Sequence, residues 1–284
     1  MAGLFTELVA EIGWNHMGDM VLAKEMIVAA AESGANAVKF QVWSVKNLKS
    51  GPWDVDGRRQ IYEKAELSED QLMMLREESI KQGLNFFVSV FSTHELDVAA
   101  KVSPEIIKIP STEIANASLM QGIVDYHDKA NVFNHVIIST GASIYSEIIN
   151  AVDKTRDTQA VTVLHCVSTY PCPPEKANLK RINLLKSIFL LNGPISVGYS
   201  GHCEGIIDAI ASLYMTPTII EKHFTIDHSL PGRDNKFAIL PQEMKILRNY
   251  VDNVSDMMKE APDVIDFQEC EKEMRDTYRG RWDA

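Results

Sequence analysis

Short apolar runs recur along the chain, and a longer amphipathic stretch follows each of them. The runs are Leu8–Gly13, Ala37–Val42, Asn85–Val90, Ile106–Ile109, His135–Ser139, Val161–Val167, Ile195–Tyr199 and Ile219–Phe224. They are short, rich in β-branched residues and bounded by turn formers, which predicts buried strands. The stretches between them carry helix signals. Asp19 is placed to cap a helix over Met20–Glu32 that stops at Ser33-Gly34, and Ser68-Glu69-Asp70-Gln71 is a capping box for a helix running to Gln82-Gly83. Further helices are predicted over Thr93–Lys101, Ser118–His127, Ile144–Lys154, Leu179–Phe189, Glu204–Tyr214 and Pro241–Lys259.

Strict strand–helix alternation predicts a parallel sheet. Eight such units in 284 residues predict an α/β protein with a closed (β/α)8 TIM barrel, a single domain over 1–284. An open doubly wound sheet is the alternative, but the first strand-to-helix turn lacks the glycine fingerprint of dinucleotide-binding folds. The charged stretch from Trp43 to Leu67 is too long for an ordinary connection and is predicted to be an irregular lid or substrate loop.

Composition narrows the class. A formal charge of −11 disfavours a general nucleic-acid surface or attraction to anionic membrane. No apolar run approaches the roughly 20 residues needed to span a bilayer. The opening residues carry no basic region and apolar core of a signal peptide, and Cys166, Cys172, Cys203 and Cys270 show no paired spacing. These features predict a cytoplasmic protein with reduced thiols.

Polar residues gather where the strands end. In a barrel those ends converge on one mouth. His202 and His223 close consecutive strands and are expected side by side, as a manganese or zinc site or as hydrogen-bonding barrel histidines. Lys39 and Lys108, with Ser89, Ser111, Ser139 and Ser200 nearby, suit a multiply charged anion; taken singly, each lysine reads as a snorkelling strand residue. Glu11, Glu113 and Glu221 balance the lysines, either as proton-handling groups or as a structural ion-pair network. His165 reads as a core histidine, Cys172 as packing, His94 and His228 as surface residues, and Met73-Met74 as a core stripe.

The ordered set Glu11-Ile12-Gly13-Trp14-Asn15-His16, Val38-Lys39-Phe40-Gln41, Ile107 to Glu113, Ser139-Thr140-Gly141, His165-Cys166 with Tyr170-Pro171, Ser200-Gly201-His202 and Glu221 to Thr225 resembles the sialic acid synthase family. Pro231-Gly232-Arg233-Asp234 resembles that family's PGPD turn. The resemblance implies metal-dependent condensation of phosphoenolpyruvate with an aldose, an N-acetylmannosamine-like aminosugar, to a 2-keto-3-deoxy sugar acid with release of phosphate. It implies Mn2+ on His202 and His223. Lys39, Ser89, Lys108, Ser111, Ser139, Ser168, Tyr170 and Ser200 are implied to hold substrate, and Glu11, Gln41, Glu113 and Glu221 to be catalytic. The alternatives are a metal-dependent 2-keto acid aldolase and a barrel that binds sugar or phosphoenolpyruvate without turnover.

Three departures stand against the family pattern. Gly201 stands where an Asp is usual, which is expected to remove a carboxylate from the mouth. Ser168 replaces an Asn and Lys222 an Arg. The chain is also expected to lack the family's C-terminal antifreeze-like domain, leaving a homodimer, or a separate antifreeze-like protein acting in trans, as expected partners.

Overall fold

A computed structural model describes residues 6–190, 195–259 and 266–282. The leader-free reading of Met1–Phe5 and the end of the chain at Ala284 lie outside the described residues. Eight parallel strands close into a barrel in sequence order. They are β1 Glu7–Gly13, β2 Ala37–Val42, β3 Asn85–Val90, β4 Ile106–Ile109, β5 His135–Ser139, β6 Ala160–Cys166, β7 Ile195–Gly201 and β8 Ile219–His223. β1 pairs with both β2 and β8, which closes the ring. The helices are α1 Met20–Glu32, α2 Arg58–Ala65, α3 Glu69–Lys81, α4 Leu96–Val102, α5 Ala117–Ala130, α6 Tyr145–Thr155, α7 Lys180–Phe189, α8 Ile207–Ser212 and α9 Pro241–Lys259.

The local signals act as their chemistry dictates. The Asp19 carboxylate accepts the Val21 and Leu22 amides, and Ser68 and Gln71 bond reciprocally at the start of α3. Three expectations need correction. The stretch from Trp43 to Leu67 is not wholly irregular, since it contains two 3-10 turns and α2; Arg-Arg-Gln-Ile-Tyr-Glu-Lys-Ala has too few apolar positions to announce a helix. The helix expected over Glu204–Tyr214 shrinks to α8, because Gly205 takes a positive φ and the final turn tightens to 3-10. Met74 is exposed, so only Met73 of that pair packs on the core.

Strand parity sorts the side chains into two sets. Outward residues such as Leu8, Val38, Phe40, Val88, Ile107 and Val163 meet the helices in the main core. Inward, Val9, Ala37, Phe87, Ile137, Leu164 and Ile219 form a separate apolar cluster, with Ile106 packed against it. That cluster plugs the barrel, as interior layers of this architecture do. Two residues further along these strands stand Glu11, Lys39, Ser89, Lys108, Ser139, Cys166 and Glu221. The polar layer therefore lies directly on the plug and beneath the mouth. Among the described residues no helix is long and apolar enough to cross a membrane.

His16, in the turn after β1, is fully buried, and its Nδ1 accepts the Gly18 amide at 3.0 Å. Burial lowers the pKa of this imidazole to about 4. Its folded pKa lies below its unfolded value of 6.5, so its contribution to stability is complete above pH 6.5 and is lost as pH falls towards 4. His16→Asn keeps an acceptor near the Nδ1 position and removes the titration. Urea unfolding at pH 7 and pH 4.5 should show a smaller acid loss in the variant, by on the order of 3 kcal/mol at most. Equal acid loss in both proteins contradicts this assignment.

Candidate active site

The polar layer of the mouth is a connected charge network. Lys39 Nζ lies 2.5 Å from Glu11 Oε2 and donates to Ser89 Oγ at 2.9 Å. Lys108 Nζ donates to Glu221 Oε1 at 2.5 Å, and Ser200 Oγ donates to the same oxygen at 3.0 Å. Gln41 Nε2 donates to Glu11 Oε1 at 2.6 Å. Glu221 Oε2 is buried, stands 3.9 Å from Lys39 Nζ and accepts no hydrogen bond.

None of the four charged groups is more than 4% exposed. Isolated, each would be too costly to bury; paired, they persist. Burial alone would raise the Glu221 pKa, but the charges of Lys108 and then Lys39 reverse this and hold it at about 2. Burial also lowers the pKa of Lys108, against the opposing pull of Glu221.

The two histidines meet as their strand positions predict. Their ring centroids are 5.6 Å apart, and the Tyr170 ring sits 4.2 Å from that of His202. His202 Nδ1 donates to Val167 O at 2.7 Å, which fixes the tautomer and leaves the Nε2 lone pair free. Burial, followed by the neighbouring His223, lowers the His202 pKa to about 3, so this imidazole is neutral at physiological pH. His223 Nδ1 is buried without a hydrogen bond, 3.6 Å from Asp234 Oδ2.

A third feature is a cradle at Gly141. A methyl group there would strike Ser168 Oγ and come within 2.7 Å of Cys166 Sγ and 2.8 Å of Ser111 Oγ. The Gly141 amide donates to Ser111 Oγ at 3.0 Å. The Ser111 and Ser168 hydroxyls beside it line the mouth and are small donors of the kind that suit the oxygens of an anion.

One cavity of about 790 Å3 joins the network, the imidazoles and the Ser111, Cys166 and Ser168 side chains packed at Gly141. All the expected site residues line it: Glu11, Lys39, Gln41, Ser89, Lys108, Ser111, Glu113, Ser139, Ser168, Tyr170, Ser200, His202, Glu221 and His223. Glu113 stands apart from the charge network, its carboxylate accepting Asn116 Nδ2 at 2.9 Å. His165 points away from the mouth, with Nε2 on Ala177 O at 2.8 Å and its ring against Tyr199.

Several lining residues went unread in sequence. Asp234 accepts Trp14 Nε1 at 2.5 Å, and Trp14 stacks on Tyr62 of α2 with centroids 5.3 Å apart. Trp43 completes this aromatic wall. Cys166 faces the cavity because it lies two residues beyond the plug residue Leu164. In sequence Asp234 stands out only as a carboxylate next to a proline–glycine turn.

The Gly201 expectation is corrected. A Cβ at this position would strike Asp208 Oδ2 and approach the Tyr199 ring and Lys222, all outside the barrel wall. Gly201 therefore removes no carboxylate from the mouth. Its parity is opposite to that of Ser200 and His202.

Residues 26–262 match the NeuB family. The chain belongs to this family. It is 34% identical over 268 residues to the N,N'-diacetyllegionaminic acid synthase of Campylobacter jejuni, covering 89% of this chain and 77% of that one. The synthase of the same name from Legionella pneumophila is 34% identical over 266 residues, covering 88% and 71%. The crystal structure of the N-acetylneuraminic acid synthetase of Leptospira borgpetersenii superposes with a TM-score of 0.84 at 30% identity, covering 98% of this chain and 93% of that one. The protein is an enzyme of the sialic acid synthase type.

The charge network makes a prediction of its own. Glu221→Gln strands the Lys108 ammonium and should destabilise the enzyme by about 3 kcal/mol in urea unfolding. Lys108→Met in the same chain should recover more than half of that loss, because no buried charge is then left without its partner. Equal stability of Glu221→Gln and wild type, or no recovery in the double variant, contradicts the coupling.

Proposed function

We propose that this NeuB-family enzyme condenses phosphoenolpyruvate with an N-acylated aminohexose in a metal-dependent reaction. C3 of phosphoenolpyruvate bonds to the aldehyde carbon, water adds at C2, and phosphate leaves with the bridging oxygen. The product is a nine-carbon 2-keto-3-deoxy acid. The observation that carries this reading is one cavity lined by two buried lysines, by the small side chains of Ser111, Cys166 and Ser168, and by a pair of adjacent imidazoles.

Phosphoenolpyruvate needs many donors for two anionic groups. Lys39 and Lys108 are ammonium groups with three donors each. Ser111 and Ser168 offer small hydroxyl donors at the mouth, and Ser89, Ser139 and Ser200 line the same cavity. Glu221 Oε2 is buried and accepts no hydrogen bond in the free enzyme, which leaves it placed to accept one from the attacking water. Glu11 and Gln41, already fixed to one another, are suited to the sugar hydroxyls. Asp234 and the Trp14–Tyr62 wall bound the same end of the cavity, where an aromatic face can pack against a sugar ring.

The donor set fits a divalent ion, with Mn2+ the expected one. Among the described residues no group of three or more His, Cys, Asp or Glu side chains is placed to hold a metal, so His202 and His223 would hold it with oxygens of water and substrate. The fixed tautomer of His202 and the unpartnered Nδ1 of His223 are consistent with ligating imidazoles. Such an ion supplies Lewis acidity for the aldehyde. The two acetyl groups in the names of the 34%-identical relatives favour a di-N-acetylated aminohexose over N-acetylmannosamine as acceptor.

Inorganic phosphate released from phosphoenolpyruvate, measured across a panel of aldoses with Mn2+, tests the reading. Release should require an aldose, stop with EDTA, and fall at least 1,000-fold in His223→Ala, on the order of 4 kcal/mol of barrier. Aldol cleavage of the 2-keto acid without phosphate exchange points to the aldolase, and no turnover with any aldose points to a binding barrel.

The cradle has its own test. Gly141→Ala drives a methyl into Ser168, Cys166 and Ser111 and should weaken phosphoenolpyruvate binding at least tenfold by calorimetry, about 1.4 kcal/mol. Unchanged affinity would remove the cradle from the substrate site.

A further inference from the structure

The ladder between β7 and β8 ends at the pair Gly201 and Lys222. His202 lies just past that end, and His223 is the last residue of β8. The β7–β8 ladder therefore stops one residue short of the two histidines and does not itself set the separation of their rings. What bridges the strand ends is a buried polar cluster on the outer side of the barrel wall. Lys222 Nζ donates to Cys203 O at 2.7 Å, directly after His202. The same ammonium donates to Asp208 Oδ1 and Oδ2 of α8 at 3.0 and 3.2 Å. Tyr199 Oη donates to Asp208 Oδ2 at 2.8 Å. Lys222 and Asp208 are 2% and 4% exposed, so solvent does not screen them.

Lys222 is covalently next to both Glu221 and His223, and its ammonium is tied to the backbone that carries His202. The missing side chain of Gly201 is part of the same arrangement, since a Cβ there would occupy the space of the Asp208 carboxylate. We infer that Asp208, Lys222 and Tyr199 form an outer brace whose task is to hold His202 and His223 at their ligating separation. Asp208 and Lys222 are thus positioning residues for the metal proposed above, on which this inference rests. One carboxylate is required at this point, and it can be supplied from α8 or from position 201, but not from both.

This exclusivity gives the test. Mn2+ affinity is measured on the full chain by electron paramagnetic resonance of the free ion, phosphoenolpyruvate affinity by calorimetry in EDTA, and folding by thermal denaturation in EDTA. Wild type should bind one Mn2+; no Mn2+ binding by wild type defeats the proposed metal site itself and the brace with it. Asp208→Ala should weaken Mn2+ binding about tenfold while leaving metal-free phosphoenolpyruvate affinity within threefold of wild type. Gly201→Asp alone should also weaken Mn2+ binding, because two carboxylates then compete for one space. Gly201→Asp with Asp208→Ala should return Mn2+ affinity to within threefold of wild type, and this pair decides the matter if Asp208→Ala fails to fold. Undiminished Mn2+ affinity in Asp208→Ala overturns the brace. So does a double variant no tighter than Asp208→Ala, or a parallel loss of phosphoenolpyruvate affinity, which would mark a merely structural cluster.

Discussion

Two lysines and two carboxylates buried on top of an apolar plug are the constraint around which this molecule is built. Val9, Ala37, Phe87, Ile137, Leu164 and Ile219 close the barrel from below, so the next inward residues cannot reach water in that direction. Lys39, Lys108, Glu11 and Glu221 therefore satisfy one another, at 2.5 Å for each of the two close pairs. Such a network is a poor source of stability when compared with apolar packing. In the proposed reaction its value lies in pre-set charges that need little reorganisation when a charged substrate arrives.

The same parity that buries the charges separates the two faces of the last strands. On the inner face, Glu221 and His223 look into the cavity. On the outer face, Lys222 points into a cluster with Asp208 and Tyr199. One strand thereby carries the proposed site residues on one side and the proposed brace on the other. Function and support are one residue apart in sequence and on opposite sides of the wall in space.

Much of this was legible in sequence because strands have a period of two and barrels gather strand ends. The eight strands, the meeting of His202 with His223 and the convergence of Lys39 with Lys108 all follow from those two rules. Gly201 was misread although the rule was available: if Ser200 and His202 face the mouth, Gly201 does not. Trp14 and Tyr62 were beyond reach for another reason, and Asp234 had only its turn as a signal. They come from loops and a short charged helix, where no periodicity reports direction, and only tertiary packing brings Trp14 Nε1 to the Asp234 carboxylate. Cys166 was legible by parity with Leu164 but was weighed only as a thiol.

In the proposed reaction this cavity directs water to C2 of phosphoenolpyruvate, so that phosphate departs by C–O cleavage. Phosphoenolpyruvate labelled with 18O in its bridging position, turned over with an accepted aldose, tests this most directly by mass spectrometry. The account predicts that the label leaves in inorganic phosphate and that the 2-keto oxygen comes from water. Label retained in the sugar acid would mean P–O cleavage and would contradict the account.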